Sequence, residues 1–562
     1  MIRKENRFVP KLILIAFASM TLASSQAAAG LQADLIFLNA IVRTMDSNQP
    51  LAEAVAVYGN RIAAVGTHLE IAPFAGAKTR VIDARGRLLL PGFNDSHTHF
   101  LDGGHSLSNL DLRDAISPDE MAQRLAAYVR GIPAGQWIVG GNWDHEKWPG
   151  TPLPTKEMID AATPSHPVFL SRTDGHMSLA NSLAMKLSGI TNQTKDPEGG
   201  VIVRDHGGTP TGVFKDAAQN LIKVSPRSDA EKLASARAAT DHAAKLGVTS
   251  VTDMSAGEDV GIYQRMDGAG QLKTRIYAIR SIVSWRALAE TGVRAGFGSG
   301  MIRIGGLKGF ADGSLGSSTA LFFEPFDDAP NTRGLLFNQM LPEGTMNARA
   351  LGADKAGLQV MIHAIGDEAN FRILNLYEEV VAKNGERDRR FRIEHAQHLR
   401  ASEIPRFGKQ QVIASMQPYH AADDGRWCDR RIGPVRSKGT YAFRSLLDSG
   451  ATLAFGTDWD VAPLNPLVSI KAAVTRQTLD GKHPSGWVPE QKISVQEAVH
   501  AYTMGSAYAE FEEGRKGSIT AGKFADLVLI DRDIFKTDPA EIENARVLLT
   551  VVGGRVVYES EH

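Results

Sequence analysis

At 562 residues the chain has room for several domains of roughly 100–200 residues, or for one enlarged barrel with an accessory domain. Hydrophobic residues make up 43% and charged residues 22%, an ordinary globular balance that excludes wholesale disorder and a multi-spanning membrane protein. Against 63 acidic residues stand 62 basic ones, and a formal charge of −1 leaves no electrostatic footprint for nucleic acid.

The first element in chain order is a leader: Arg3, Lys4 and Arg7 precede an apolar run from Leu12 to Leu22, and small residues follow through Ala27, Ala28 and Ala29. This predicts a signal peptide over residues 1–29, because the apolar run is too short for an ordinary span of about 20 residues. The mature protein is then secreted or periplasmic, with no stable membrane span; the alternative is an uncleaved anchor. The single cysteine, Cys428, cannot form an intramolecular disulfide, so the fold must be stable in an oxidising compartment without one.

From Leu35 to Leu90 short Val/Ile/Ala-rich runs alternate with glycine-containing turns, as in Ala54–Val57, Arg61–Val65 and Arg80–Ile82. Similar runs close the chain at Asp526–Ile530, Val547–Val552 and Arg555–Tyr558, the last two separated by the hairpin signal Gly553-Gly554. Residues 30–90 and 514–562 are therefore expected to form one composite β-sandwich. Over residues 91–513 apolar runs alternate with helical patterns, which predicts an α/β fold with a (β/α)8 TIM-like barrel. Its strands are expected near Phe93–His99, Val248–Asp253, Arg275–Ile279, Ile302–Phe310, Leu358–His363, Phe391–His395, Val412–Met416 and Thr452–Gly456. Ser228 with Glu231 and Ser494 with Glu497 have capping-box spacing, while Gly247 and Gly385 stand where helices should stop. A large insertion, about residues 101–226, follows the first barrel strand, at the rim where active sites are built, and is the candidate lid.

The strongest chemical motif is Gly92-Phe93-Asn94-Asp95-Ser96-His97-Thr98-His99, in which period two puts His97 and His99 on one face of a strand end. Imidazole is a good zinc ligand, and two on one strand reach a single ion without backbone distortion. A lone pair of this kind is often incidental; its position gives it weight, because His363, His395 and Asp458 also stand at carboxyl ends of expected strands, which converge on one barrel mouth. Lys308, in Gly306-Leu307-Lys308-Gly309-Phe310-Ala311-Asp312-Gly313, would repel a cation as an ammonium. Carboxylated by carbon dioxide, it becomes an anion with two oxygens able to bridge two ions; unmodified, it is a lysine stretching to water.

The order HxH, Lys, His, His, Asp resembles the metal set of the amidohydrolase superfamily. More narrowly, Lys308–Gly313 with Ser314-Leu315-Gly316, Arg392-Ile393-Glu394-His395-Ala396-Gln397 and Gly456-Thr457-Asp458-Trp459 resemble family 3 amidohydrolases, the group that includes N-substituted formamide deformylases. The likeness extends to the closing Gly522-Lys523-Phe524-Ala525-Asp526-Leu527. It implies a barrel with a composite β-sandwich, His97 and His99 on one ion, His363 and His395 on the other, N-carboxylated Lys308 between them, and Asp458 as ligand and proton acceptor. Two zinc ions are the expectation, a one-metal site the rival. Trp143, beside Asn142, Asp144 and His145, together with His176, Asp312, Gln417 and His420, are candidates to touch substrate, with His176 and Gln417 also at positions that resemble the family's.

These expectations describe an enzyme that cleaves a C–N, amide-type bond of a small molecule with metal-activated water and Asp458 as general base. The competitors are a lactone or ester hydrolase or a deaminase on the same metals, and a non-catalytic periplasmic binding protein on a silent barrel. Composition and motifs do not specify an oligomeric state.

Overall fold

The computed structural model describes residues 32–561 apart from 256 and 258, so the leader expected over 1–29 lies outside the described residues. Eight strands fill the middle of the chain: β1 (Phe93–Thr98), β2 (Val248–Asp253), β3 (Arg275–Ser281), β4 (Ile302–Phe310), β5 (Gln359–Ala364), β6 (Arg392–His395), β7 (Ile413–Met416) and β8 (Leu453–Phe455). They pair in parallel, in sequence order, from β1 to β8. Strands such as β5, buried at every position, have apolar contacts on both faces, which is why they read as continuous runs.

The seam between β8 and β1 closes through a parallel bridge between Thr98 and Trp459, with the Asp458 N–H donating to His97 O at 2.7 Å. Gly456 permits this approach, since a Cβ there would lie 2.5 Å from His97 N. Asp95 ties the seam from within, accepting from Thr457 N at 3.0 Å and from Thr457 Oγ1 at 2.7 Å. The fold is therefore an α/β barrel of the TIM type. The helix Asp229–Lys245 starts on a complete capping box at Ser228 and Glu231 and stops before Gly247, whose φ is +74°. Val495–His500 starts in the same way on Ser494 and Glu497, and Asp367–Asn384 stops at Gly385.

Two further sheets stand beside the barrel. One holds four strands, in the order Arg61–Gly66, Ala54–Tyr58, Leu35–Leu38 and Arg80–Asp83, all from the N-terminal segment. The other joins both ends of the chain, in the order Arg555–Glu559, Val547–Val552, Leu527–Ile530, Leu88–Pro91, Ile41–Arg43 and Leu51–Ala52. Phe37, Val55 and Val57 of the first share an apolar cluster with Val42, Leu89, Leu527, Leu529 and Val551 of the second. Gly553 and Gly554 turn the closing hairpin at φ 53° and 73°, values that favour glycine.

Between β1 and β2 lies a five-stranded sheet, in the order Gly200–Arg204, Pro210–Asp216, Met177–Ala180, Val168–Arg172 and Ile138–Trp143. It has its own core around Trp143, Trp148, Leu170 and Leu179. It meets the loop after β4, where Lys215 Nζ donates to Ser317 O at 2.7 Å and Ser317 Oγ to Asp174 Oδ2 at 3.0 Å. Among the described residues no helix is long and apolar enough to cross a membrane.

Candidate metal centre and substrate cavity

The carboxyl ends of the strands bring Asp458 against the imidazoles. Its Oδ1 lies 3.4 Å from His97 Nε2 and 3.2 Å from His99 Nε2. The His97 and His395 rings are 4.8 Å apart by centroid, and His395 and His363 are 4.6 Å apart. Lys308 Nζ reaches to 3.3 Å from His97 Nε2. His97, His99 and Asp458 offer donor atoms that all lie within 4.8 Å of one another, and so do His395, His420 and Asp458.

Behind each of His97, His395 and His363 stands a partner for one ring nitrogen. His97 Nδ1 lies 2.6 Å from Glu394 Oε2, His395 Nδ1 lies 2.8 Å from Gln417 Oε1, and His363 Nε2 lies 3.0 Å from Gly313 O. Acceptors in these places fix a ring's tautomer and orientation, the arrangement usual behind metal-bound histidines. Glu394 is itself held by Arg392, through Nε at 2.7 Å and Nη2 at 3.0 Å. Burial works to raise the Glu394 carboxyl, but the Arg392 guanidinium overrides it and holds the group down at about 2. Burial and the nearby Lys308 push His97 down to about 4, and burial pushes the Lys308 amine down to about 8. For Asp458 burial is again outweighed, by His97, His99 and His395, so its carboxyl lies well below the usual range.

A cavity of about 820 Å³ opens over this cluster, lined by His99, Lys308, His363, His395, Asp458, His176 and His420 among others. The donor set fits a divalent cation. Asp458 Oδ1 is buried and accepts no aligned hydrogen bond among the described residues, although nitrogens crowd around it. A carboxylate oxygen and several imidazole lone pairs facing one point are the ligand chemistry of zinc and similar ions.

Residues 80–558 match the family described as amidohydrolase family. The chain belongs to the amidohydrolase family. This amidohydrolase is 39% identical over 553 residues to the protein LONG AFTER FAR-RED 3 of Arabidopsis thaliana, covering 96% of this chain and 94% of the relative. It is 29% identical to an N-substituted formamide deformylase of Arthrobacter pascens, over 94% and 98% of the two chains. The solved structure of an uncharacterized metal-dependent hydrolase from Pyrococcus furiosus superposes with a TM-score of 0.69 at 30% identity, covering 89% of this chain and all of the other. As a family member the amidohydrolase is a hydrolase, with its His/Asp cluster a candidate site for a divalent metal.

Not every residue expected at substrate borders the cavity. Trp143 is fully buried in the inserted sheet, stacked on Trp148 and donating from Nε1 to Leu170 O at 2.8 Å. Gln417 lies behind His395. Asp312 accepts from the backbone N–H groups of Leu321, Ile365 and Gly366 at 2.8–3.0 Å, which pins the ends of two loops. His176 and His420 do line the cavity. His176 Nδ1 lies 2.7 Å from Asp216 Oδ1, and its ring is 5.0 Å from that of His363. Glu394, Arg392 and Asp216 were assigned no role from sequence; opposite charges two apart on a buried strand, Arg392 and Glu394, are the readable trace of the first two.

Proposed function

We propose that this amidohydrolase cleaves a C–N, amide-type bond of a small molecule, with Asp458 as general base, at a centre of two divalent cations. The observation that carries the proposal is the buried Asp458 carboxylate, its Oδ1 without an aligned hydrogen bond, set among His97, His99 and His395 on the floor of a large cavity. The likeness to a formamide deformylase supports the C–N bond over an ester or lactone. Imidazole-rich ligation favours zinc, and the cations supply a Lewis acid that brings water's pKa to roughly 7.

Glu394 fixes His97 through Nδ1, Gly313 O fixes His363 through Nε2, and Gln417 fixes His395 through Nδ1. On the family resemblance, His97 and His99 would hold one cation, and His363 and His395 the other. Lys308 Nζ lies 3.3 Å from His97 Nε2, and an amine pushed down to about 8 has a neutral fraction at pH 7 open to carbon dioxide. N-carboxylation would release a proton and replace a repelling cation by an anion able to help hold the cations. The Asp458 carboxylate takes the proton of the attacking water and returns it to the departing nitrogen, while His176, held by Asp216, contacts the substrate from the inserted sheet.

Chelation tests the proposal. Stripped protein loses hydrolysis across a panel of N-substituted amides, formamides included, and regains it with zinc, cobalt or manganese. Undiminished turnover in metal-free protein refutes the metal reading, and a panel in which only esters or lactones are cleaved refutes the bond.

A further inference from the structure

His420 is a cavity imidazole that the scheme above leaves unused. It follows β7 in the helix Pro418–Asp424, three residues beyond the Gln417 that orients His395. Its Nε2 is buried and has no hydrogen-bond partner among the described residues. Leaving such a nitrogen desolvated costs about 1–3 kcal/mol, so a buried orphan points to a missing partner. A ring nitrogen of His420 lies within 4.8 Å of donor atoms on both His395 and Asp458. Asp458 Oδ1 is the second orphan of the same cluster. Two unpartnered atoms, one on an imidazole and one on a carboxylate, converging with a second imidazole are the ligand chemistry of a divalent cation.

We propose that His420 is a metal ligand, forming with His395 and Asp458 a three-donor cation position that shares Asp458 with the position at His97 and His99. Ligand atoms on one zinc sit about 3.3 Å apart, from bonds of roughly 2.0–2.1 Å in a tetrahedron, so a group spread over no more than 4.8 Å closes by small side-chain rotations. His363 belongs to neither three-donor group, and Gly313 O takes its Nε2. It remains available through Nδ1 as a further donor to the same cation. Three separate strand ends, those of β6, β7 and β8, then fix the second cation.

The inference rests on the metal-dependent reading and is tested apart from turnover. Crystals of the zinc-loaded mature protein, measured at the zinc absorption edge, are expected to show anomalous density about 2.0–2.3 Å from His420 Nε2 as well as at His97 and His99. In solution, His420→Ala and the polar His420→Gln are expected to weaken the second zinc at least tenfold in chelator competition and to change the visible spectrum of the cobalt form. The crystal does not depend on either variant folding. Density confined to His97, His99 and Asp458, or to positions more than about 3.5 Å from His420, overturns the inference while leaving the enzyme metal-dependent. A protein that takes up no metal overturns the metal reading itself, and this inference with it.

Discussion

Glu394→Gln keeps the shape of the side chain and removes only its charge, which Arg392 and His97 share. Both Arg392 and Glu394 side chains are fully buried, and Glu394 is the carboxylate that pairs the guanidinium. Breaking one half of a buried pair leaves an uncompensated charge, at a cost of about 3–5 kcal/mol. A second effect falls on the metal: the amide cannot accept from both Arg392 and His97 without turning its NH2 toward one of these donors. Losing the carboxylate behind a ligating imidazole typically weakens metal binding by about 10–100-fold, or roughly 1.4–2.7 kcal/mol. Two measurements separate the effects. Guanidinium unfolding of metal-free variant and parent reads the first, and zinc competition against a chelator reads the second. A variant with the parent's unfolding midpoint and a zinc affinity within about threefold would show that the Arg392–Glu394–His97 chain does not hold the centre together.

Three further outcomes follow from the same geometry. Asp458→Asn keeps most bound metal while turnover falls by roughly 100-fold or more, the scale for a positioned base. Asp460→Asn, in neither donor group, has the smaller effect, and a larger loss at Asp460 would mean the proton acceptor is misassigned. Lys308→Ala lowers metal retention, and a short carboxylic acid restores part of it by standing in for the carbamate; a variant that keeps both ions and normal turnover removes the bridging role. Burial, reinforced by Asp423, pushes Asp424 from its ordinary 3.8 up to about 7, so the folded state prefers it protonated and the parent loses stability as pH rises from about 4 to 7. Asp424→Asn has no such loss, and its melting temperature gains on the parent's between pH 5 and 8; parallel profiles would contradict this.

The eight barrel strands were legible because short Val/Ile/Leu/Phe-containing runs alternate with helical patterns, and β2 and β4 occupy the expected residues end to end. The metal-ligand candidates were legible for a related reason: a barrel sends every strand's carboxyl end to one rim, so strand position alone predicts convergence. Sequence did not separate side chains that face the cavity from those standing one layer behind it. Gln417 and Asp312 are polar residues at strand ends like the others, and only the register of β7 and the path of the loops put them behind His395 and His363. Trp143 reads alike as a substrate platform and as the core of a small sheet; the sheet, which mixes parallel and antiparallel pairs and exchanges its last two strands, was not foreseeable as a unit.

The closing seam of the barrel has a consequence for biogenesis. Asp95 and Thr457, which tie it, are 362 positions apart in the chain, and His97, His99 and Asp458 flank that same junction. During synthesis the two histidines emerge long before their carboxylate, and contacts so remote in sequence form late because the intervening chain must first be ordered. Ion capture at that position thus waits on the eighth strand, and a cation bound there certifies that the barrel has closed.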